Sequence, residues 1–341
     1  MSSSATAQLI VTISQYIMID VGFFVLFMGM IGNTISIVVL HKLRLFRGNP
    51  SVFYFTIESI GNLAQLLINY PTRIMMDGFT IDYTNISVVW CKIRAFLAPV
   101  LTLISIYTVC CASFDQYLST HHQTYLRQKC TLSLAKYLTF TTIFFIILHG
   151  IPFIILFDLP SLMVCTTYNT IFSRYYSSVY YPVVQGALPM IIASSFSLLA
   201  FLNVRRVIRQ RIRIVRRRLD RQLTAMVLAR ATCLVALILP YTLYRIYILN
   251  ITVNQDQQVL LAINNNLFQS VTITLFYVNY AANFYIFMGT SSRYRHQVKH
   301  VIVKKFWLPF KHWLCVQLKC ANEHRVAPEG TPSYESSIEL E

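Results

Sequence analysis

The sequence predicts an all-α membrane protein, a bundle of seven transmembrane helices, and three observations lead to that prediction. The 341 residues are 55% hydrophobic and only 12% charged, whereas soluble domains contain about 25% charged residues. Seven apolar stretches follow one another along the chain, and most basic residues lie in alternate segments between them. This composition excludes a disordered chain, a coiled coil, a secreted disulfide scaffold and most soluble enzymes.

The seven stretches, named spans 1 to 7, each reach the ~20 residues that a membrane-spanning helix needs. Because backbone polar groups cannot remain unpaired in lipid, we expect every span to be a helix. We expect residues 1–15 to be a short extracellular segment and 16–290 to be the seven-transmembrane domain. Residues 291–341 should form a cytoplasmic tail with a membrane-surface helix over 291–306. The predicted spans are Tyr16–Leu40, Val52–Met76, Ile93–Leu118, Leu134–Phe157, Val179–Leu202, Leu223–Leu249 and Val259–Met288.

The positions of the basic residues predict the orientation. Lys and Arg are frequent after span 1, between spans 3 and 4, and after span 7, and nine Arg lie between Arg205 and Arg221. By the positive-inside rule the N-terminus is extracellular and the C-terminus cytoplasmic. The net charge of +16 therefore reflects topology, and we expect membrane lipid rather than nucleic acid as a partner. The basic residues assigned to the opposite loops are few: Arg73, Lys92, Arg94 and Arg174.

The cysteines and one sequon suggest covalent modifications. In this orientation, Cys91 and Cys165 are the only two of the eight cysteines on the oxidising side, which favours one disulfide over two unpaired thiols. Cys315 and Cys320 follow a basic amphipathic stretch and are either palmitoylation sites or plain cytosolic thiols. The sequon that begins at Asn85 predicts an N-linked glycan in the first extracellular loop.

Polar side chains inside the spans are costly in lipid and therefore point to function. One interpretation is that they form interhelical hydrogen bonds worth about 0.6 kcal/mol each. The other, which we favour, is a polar layer that rearranges between two states. No hydrolase, metalloprotease or phosphate-binding motif occurs, so we expect neither an enzyme nor a metal or cofactor. The polar residues within the spans are Asn33, Glu58, Asn62, Ser105, Asn279 and Asn283.

Several short motifs resemble those of a known family. Asp115-Gln116-Tyr117 ends span 3 and is similar to an Asp-Arg-Tyr motif, and Asn283 begins a stretch similar to Asn-Pro-x-x-Tyr. Over about residues 16–305 the chain resembles the rhodopsin-like G-protein-coupled receptors, as a divergent member of invertebrate type. Other matching features are Gly32-Asn33, the Cys at the head of span 3, Pro189 and Pro240. The sequence differs from the family at Gln116, Asn62, Ile238, Phe284 and Phe287.

The resemblance implies a plasma-membrane receptor that transmits an extracellular peptide or small organic ligand to a heterotrimeric G protein. It implies a switch made of Asp115, Gln116, Tyr117, Asp220 and Asn283. Because Gln116 is uncharged and cannot pair strongly with Asp220, we hypothesise appreciable basal activity, lowered by Gln116→Arg and raised again by Asp220→Ala.

The resemblance also assigns a ligand pocket. Span 7 lacks the lysine that retinal needs, and Ala98 replaces the amine-binding aspartate of the family. For Arg245 the alternative is a side chain that extends to the membrane interface. A transporter or channel is the competing class, but no internal repeat and no pair of broken helices supports it. The predicted pocket residues are Ala98, Thr102, Tyr241, Tyr244, Arg245, Gln269 and Tyr277.

Overall fold

The computed structural model describes residues 3–42, 49–159, 164–209, 214–250, 258–301 and 303, and most of these residues are helical. Within this part of the chain, seven helices are long and apolar enough to cross a membrane. This confirms the all-α, seven-helix architecture and fits a multi-pass membrane protein. The membrane-compatible helices are Ser4–His41, Pro50–Asp77, Val88–Thr120, Leu132–Leu156, Thr170–Arg206, Gln222–Leu249 and Val259–Ala281.

Spans 2, 3, 4 and 6 are single α-helices, whereas spans 1, 5 and 7 each contain a π-helical segment. The single helices are Pro50–Asp77, Val88–Thr120, Leu132–Leu156 and Ile214–Asn250. Span 1 consists of Ser3–Tyr16, the π-helix Ile17–Val21 and Gly22–Lys42. Span 5 consists of Thr170–Tyr175, the π-helix Tyr176–Ala187 and Leu188–Arg209. Span 7 consists of Gln258–Ala262, the π-helix Ile263–Phe268, Gln269–Ala281 and Asn283–Thr290.

The connecting segments carry short elements. The strands β1 (Phe157–Asp158) and β2 (Thr166–Thr167) pair antiparallel between spans 4 and 5. A 3₁₀ turn (Tyr83–Asn85) precedes span 3, and a short helix (Thr124–Lys129) follows it. A helix over Ser292–Val301 lies within the segment 291–306 predicted as a membrane-surface helix, of which residues 302 and 304–306 lie outside the described part of the chain. Of the described residues, those from Arg295 onward belong to a second compact unit.

Three spans begin where the sequence supplies a capping side chain. Asn49 accepts a hydrogen bond from the N–H of Ser51 and is followed by Pro50, which suits the first turn of a helix. In the same way Ser87 caps span 3 and Thr131 caps span 4. These local interactions fix the helix starts independently of the membrane.

Span 1 begins at Ser3, well before the predicted start at Tyr16. The first turns contain Ser and Thr, which lower the hydropathy on which the prediction depended. In the structure these hydroxyls bond within the helix, with Thr12 donating to the Gln8 carbonyl and Ser14 donating to the Ile10 carbonyl. Polar residues are therefore accommodated in a helix that hydropathy alone would shorten.

Span 3 lies at the centre of the bundle. It packs against spans 2, 4, 5 and 6, and its buried apolar residues include Leu103, Ile106 and Val109. Because four spans contact this one helix, a displacement of span 3 would alter its packing against all four of them.

Candidate functional site

The head of span 3 carries a disulfide, and we call this end of the bundle the disulfide end. Cys91 bonds Cys165, with their Cα atoms 5.7 Å apart, as the sequence predicts. The bridge holds the segment before β2 against span 3. Asn85 also contributes, because its Oδ1 accepts a hydrogen bond of 2.9 Å from the Cys165 N–H. The side chain is half-buried, and its glycosylation stays a prediction.

Charged and polar side chains from spans 2, 6 and 7 meet near the disulfide end. Nη1 of Arg73 lies 4.0 Å from Oδ2 of Asp77. Nε2 of Gln269 donates to Oδ1 of Asp77 at 2.9 Å, and the Tyr244 hydroxyl donates to Oε1 of Gln269 at 3.1 Å. Two of the predicted pocket residues therefore belong to one network. The structure places Arg73 in the span 2 helix, which corrects its assignment to a loop. The same correction applies to Lys92 and Arg94 in the span 3 helix and to Arg174 in the first helix of span 5.

Arg245 points into the bundle at the same end. Its Cζ lies 4.6 Å above the ring of Tyr181 on span 5. Tyr241 packs against Phe276 with ring centroids 4.5 Å apart, which brings spans 6 and 7 together beside it. This contact favours the pocket assignment of Arg245 over an extension to the membrane interface.

The remaining three predicted pocket residues, Ala98, Thr102 and Tyr277, do not belong to this network. Tyr277 is buried and stacks on Tyr70 of span 2, with ring centroids 3.9 Å apart. Thr102 accepts a hydrogen bond of 3.2 Å from Gln65. Ala98 is half-buried and offers only a methyl group. Tyr277 therefore joins the aromatic walls, whereas Thr102 belongs to a polar contact between spans 2 and 3.

Polar side chains form a stripe along one face of span 2. They recur at intervals of three or four residues, which places them on the same side of a helix. Inside the stripe, Nδ2 of Asn69 donates to Oε1 of Gln65 at 2.7 Å. The stripe connects the network at the disulfide end with the middle of the bundle. Its members are Glu58, Asn62, Gln65, Asn69, Arg73 and Asp77.

A buried ion pair occupies the middle of the bundle. Nε of Arg230 lies 2.5 Å from Oε1 of Glu58, and the two side chains are only 1% and 2% exposed. Nη1 of Arg230 donates to Oδ1 of Asn279 at 2.6 Å. One guanidinium on span 6 thus binds spans 2 and 7 at once.

Arg230 was missed by the sequence analysis, although the sequence contains the signal. It lies inside the predicted span 6, where an ionisable residue is as unexpected as Glu58 in span 2. The other predicted polar residues lie in the same region. Ser105 donates to Oδ1 of Asn62, and Nδ2 of Asn33 donates to the Tyr280 carbonyl at 2.9 Å.

Several buried atoms of this region have no protein partner among the described residues. They include Nη2 of Arg230, Nδ2 of Asn62 and both side-chain polar atoms of Asn283. Buried polar groups in native proteins are hydrogen-bonded, so we expect ordered water to bind here. The layer predicted from the sequence is therefore polar, it includes several separate hydrogen-bonded groups, and it carries a cation of its own.

Gln116 connects three spans at the end of the bundle opposite the disulfide. It is buried, its Nε2 donates to Oγ of Ser51 on span 2, and its Oε1 accepts from Oγ1 of Thr224 on span 6 at 3.1 Å. The carboxylate of the neighbouring Asp115 accepts from Sγ of Cys130 at 3.2 Å.

The remaining predicted switch and modification sites have separate positions. Tyr117 packs against Phe196, with ring centroids 5.5 Å apart. The side chain of Asp220 and the residues Cys315 and Cys320 lie outside the described part of the chain. The weak pairing of Gln116 with Asp220 therefore stays a prediction, whereas the Gln116 contacts with Ser51 and Thr224 are observed.

The comparisons with known proteins identify no relative: no family model matches the chain, and no curated protein matches it.

Proposed function

We propose that the chain is a divergent receptor of the rhodopsin-like type in the plasma membrane, with its disulfide end extracellular, that transmits ligand binding to a heterotrimeric G protein. The observation that carries the proposal is the junction at Gln116. The resemblance assigns the switch to this position, and the side chain there hydrogen-bonds spans 2 and 6 from the central helix. Because Gln116 bonds both neighbouring spans, a shift of any one of the three helices relative to the others would break or lengthen at least one of these hydrogen bonds.

The free energy of the hydrogen bond between Thr224 and Gln116 is small enough for ligand binding to overcome. A shift of span 6 away from span 3 would break the hydrogen bond between Thr224 and Gln116, which contributes about 0.5–1.5 kcal/mol. A ligand shifts such an equilibrium only by its difference in affinity for the two states, and a difference of this size is easily reached. Binding at the disulfide end could therefore control the opposite end through spans 3 and 6.

The test is guanine-nucleotide exchange on purified G proteins of each class, with the full chain in lipid nanodiscs. Thr224→Val keeps the side-chain shape and removes the hydrogen bond. We expect ligand-free exchange to rise about two- to tenfold. The matched control is Thr232→Val on the exposed face of the same span, where the hydroxyl bonds only within its own helix, to the Leu228 carbonyl.

Exchange that stays at the level of empty nanodiscs for both native chain and Thr224→Val, with every G protein, would contradict the receptor proposal. An equal rise in Thr224→Val and Thr232→Val would contradict the role of the junction. Surface expression and thermal unfolding of the two variants, measured in parallel, separate these outcomes from misfolding.

A transporter is the second candidate, and the polar stripe of span 2 with the Glu58–Arg230 pair is the observation that favours it. Ionisable residues within spans often mark ion or proton pathways. Reconstituted vesicles loaded with a pH-sensitive dye test this directly. Proton or solute flux that is abolished by Glu58→Gln, without nucleotide exchange, would favour the transporter.

A further inference from the structure

Three arginines on different helices face the interior near the disulfide end. Arg73 lies on span 2, Arg94 on span 3 and Arg245 on span 6, and we call them the arginine cluster. Arg73 interacts electrostatically with both of the others, so the three charges share one region. All three are half-buried rather than extended into solvent.

The carboxylates of the described residues do not balance this cluster. Asp77 is the one within ion-pair distance, and it is already held by Arg73 and Gln269. Asp82 interacts electrostatically with Arg94, but its Oδ1 accepts hydrogen bonds from the N–H and hydroxyl of Thr84. A partly buried positive charge without a partner is unfavourable, so the cluster favours an additional anion.

Donors for such an anion are present. Nε of Arg94 and Nε of Arg245 are enclosed and have no hydrogen-bond partner among the described residues. A guanidinium offers five N–H donors in a planar arrangement that matches a carboxylate, which can accept two of them at once. Asp77 lies within ion-pair distance of Arg73 and so offsets only one of the three positive charges.

The walls beside the cluster are aromatic. The Arg245 guanidinium lies over the ring of Tyr181. The ring centroids of Tyr181 and Tyr241 are 6.2 Å apart. Tyr277 on span 7 stacks on Tyr70 and meets Phe276 edge-on, with ring centroids 3.9 and 5.5 Å apart. Aromatic surface with a few convergent polar groups is the usual composition of a small-molecule site.

We propose that the arginine cluster binds an organic anion, a small molecule that joins a carboxylate to an aromatic or other apolar body. The carboxylate bonds Arg94 and Arg245, and the body packs on Tyr181 and Tyr241. This inference rests on the proposed receptor function, because it names the ligand class of that receptor.

The first experiment measures the Tm of the full chain in phosphatidylcholine nanodiscs with phenylacetate, indole-3-acetate, 4-hydroxybenzoate and longer aryl carboxylates. The methyl ester of each acid is the matched neutral probe. A ligand that binds only the folded state raises Tm. We expect at least one acid, at up to about 1 mM, to raise Tm while its ester does not. Equal shifts from acid and ester throughout the panel, or no shift, overturn the proposal.

Variants locate the site. Arg94→Gln and Arg245→Gln should each weaken binding of the stabilising acid about tenfold or more, because each removes charge-assisted hydrogen bonds. Lys92→Gln is the control, because it removes a positive charge from the same end, where Lys92 pairs with Asp158 at 3.8 Å. Unchanged affinity in the Arg94→Gln, Arg245→Gln double variant overturns the assignment.

A third experiment replaces part of the phosphatidylcholine by phosphatidylserine. If this lipid raises Tm without any acid, and the rise depends on the arginine cluster, the site binds a lipid headgroup and the proposal is overturned.

Nucleotide exchange in the same samples separates this inference from the receptor proposal. If an acid binds but no G protein shows nucleotide exchange, the anion site is supported and the receptor proposal is contradicted. If nucleotide exchange occurs but no acid changes its rate or stabilises the chain, the receptor proposal is supported and the anion site is overturned.

Discussion

At the scale of single residues, Arg230 has the largest consequence for the interior. The resemblance places an arginine at the inner end of span 3, where this chain has the neutral Gln116. The structure instead has a buried guanidinium on span 6, paired with Glu58 and bonded to Asn279. Span 6 is thus held by an ion pair to span 2 and by the neutral hydrogen bond from Thr224 to Gln116 on span 3. Loss of either partner would leave the other charge buried and unpaired, so an arrangement of the helices that separates the two residues is unfavourable.

We predict that Arg230→Met lowers the free energy of unfolding by about 3–5 kcal/mol, because it leaves the Glu58 carboxylate buried without a partner. The double variant Glu58→Leu, Arg230→Met should recover most of that loss, because two apolar side chains need no pairing. Thermal unfolding of the full chain in nanodiscs measures both effects.

The control for this comparison is Arg174→Gln, which removes an exposed arginine and should leave Tm unchanged. A double variant that is no more stable than Arg230→Met would show that the guanidinium supports packing rather than neutralising Glu58. Ligand-free nucleotide exchange of the double variant gives a second readout, and we expect it to rise because the ion pair no longer fixes span 6 to span 2.

At the scale of helices, the packing of span 1 depends on a small side chain. A Cβ added at Gly29 would lie 2.6 Å from Cδ1 of Leu66 on span 2 and 3.2 Å from Cα of Ala281 on span 7. The backbone of span 7 cannot move away without disturbing Asn279 and Asn283. Close approach at glycine is a common way for membrane helices to pack.

We therefore predict that Gly29→Val lowers the free energy of unfolding by about 1–3 kcal/mol through overpacking. Gly289→Val is the matched control, because a Cβ at that helical glycine meets nothing within 4 Å. Tm and yield in detergent measure the difference. A Gly29→Val protein as stable as Gly289→Val would show that span 1 shifts without cost.

The same scale shows what the sequence can predict. Each span depends on a local run of apolar residues, and every one of the seven was located, because lipid demands such runs wherever a helix crosses. Helix ends were less certain, as the hydroxyl-rich start of span 1 shows. The pairing of Glu58 with Arg230 joins residues 172 positions apart, and no local pattern encodes it. The arginine cluster likewise exists only once spans 2, 3 and 6 are assembled.

At the scale of the whole molecule, the charge is distributed unequally between the two ends. The formal charge is +16, and the basic runs occur after spans 1, 3, 5 and 7. In the structure the disulfide lies at the opposite end, beside span 3. Positive loops remain cytoplasmic and disulfides form in oxidising compartments, so both arguments support the proposed orientation, with the disulfide end extracellular.

Labelling of two exposed positions in intact cells tests this predicted orientation. Arg174 lies just before the π-helix of span 5 at the disulfide end, and Gln123 precedes the short helix after span 3 at the other end; both side chains are exposed. A membrane-impermeant maleimide should label Arg174→Cys in intact cells, and Gln123→Cys only after permeabilisation, with the unsubstituted chain as the background for native thiols. The reverse result would place Gln116 and its neighbours outside the cell, where no G protein could reach them, and would end the receptor proposal. It would also contradict the positive-inside argument, because the nine Arg between Arg205 and Arg221 would then be extracellular.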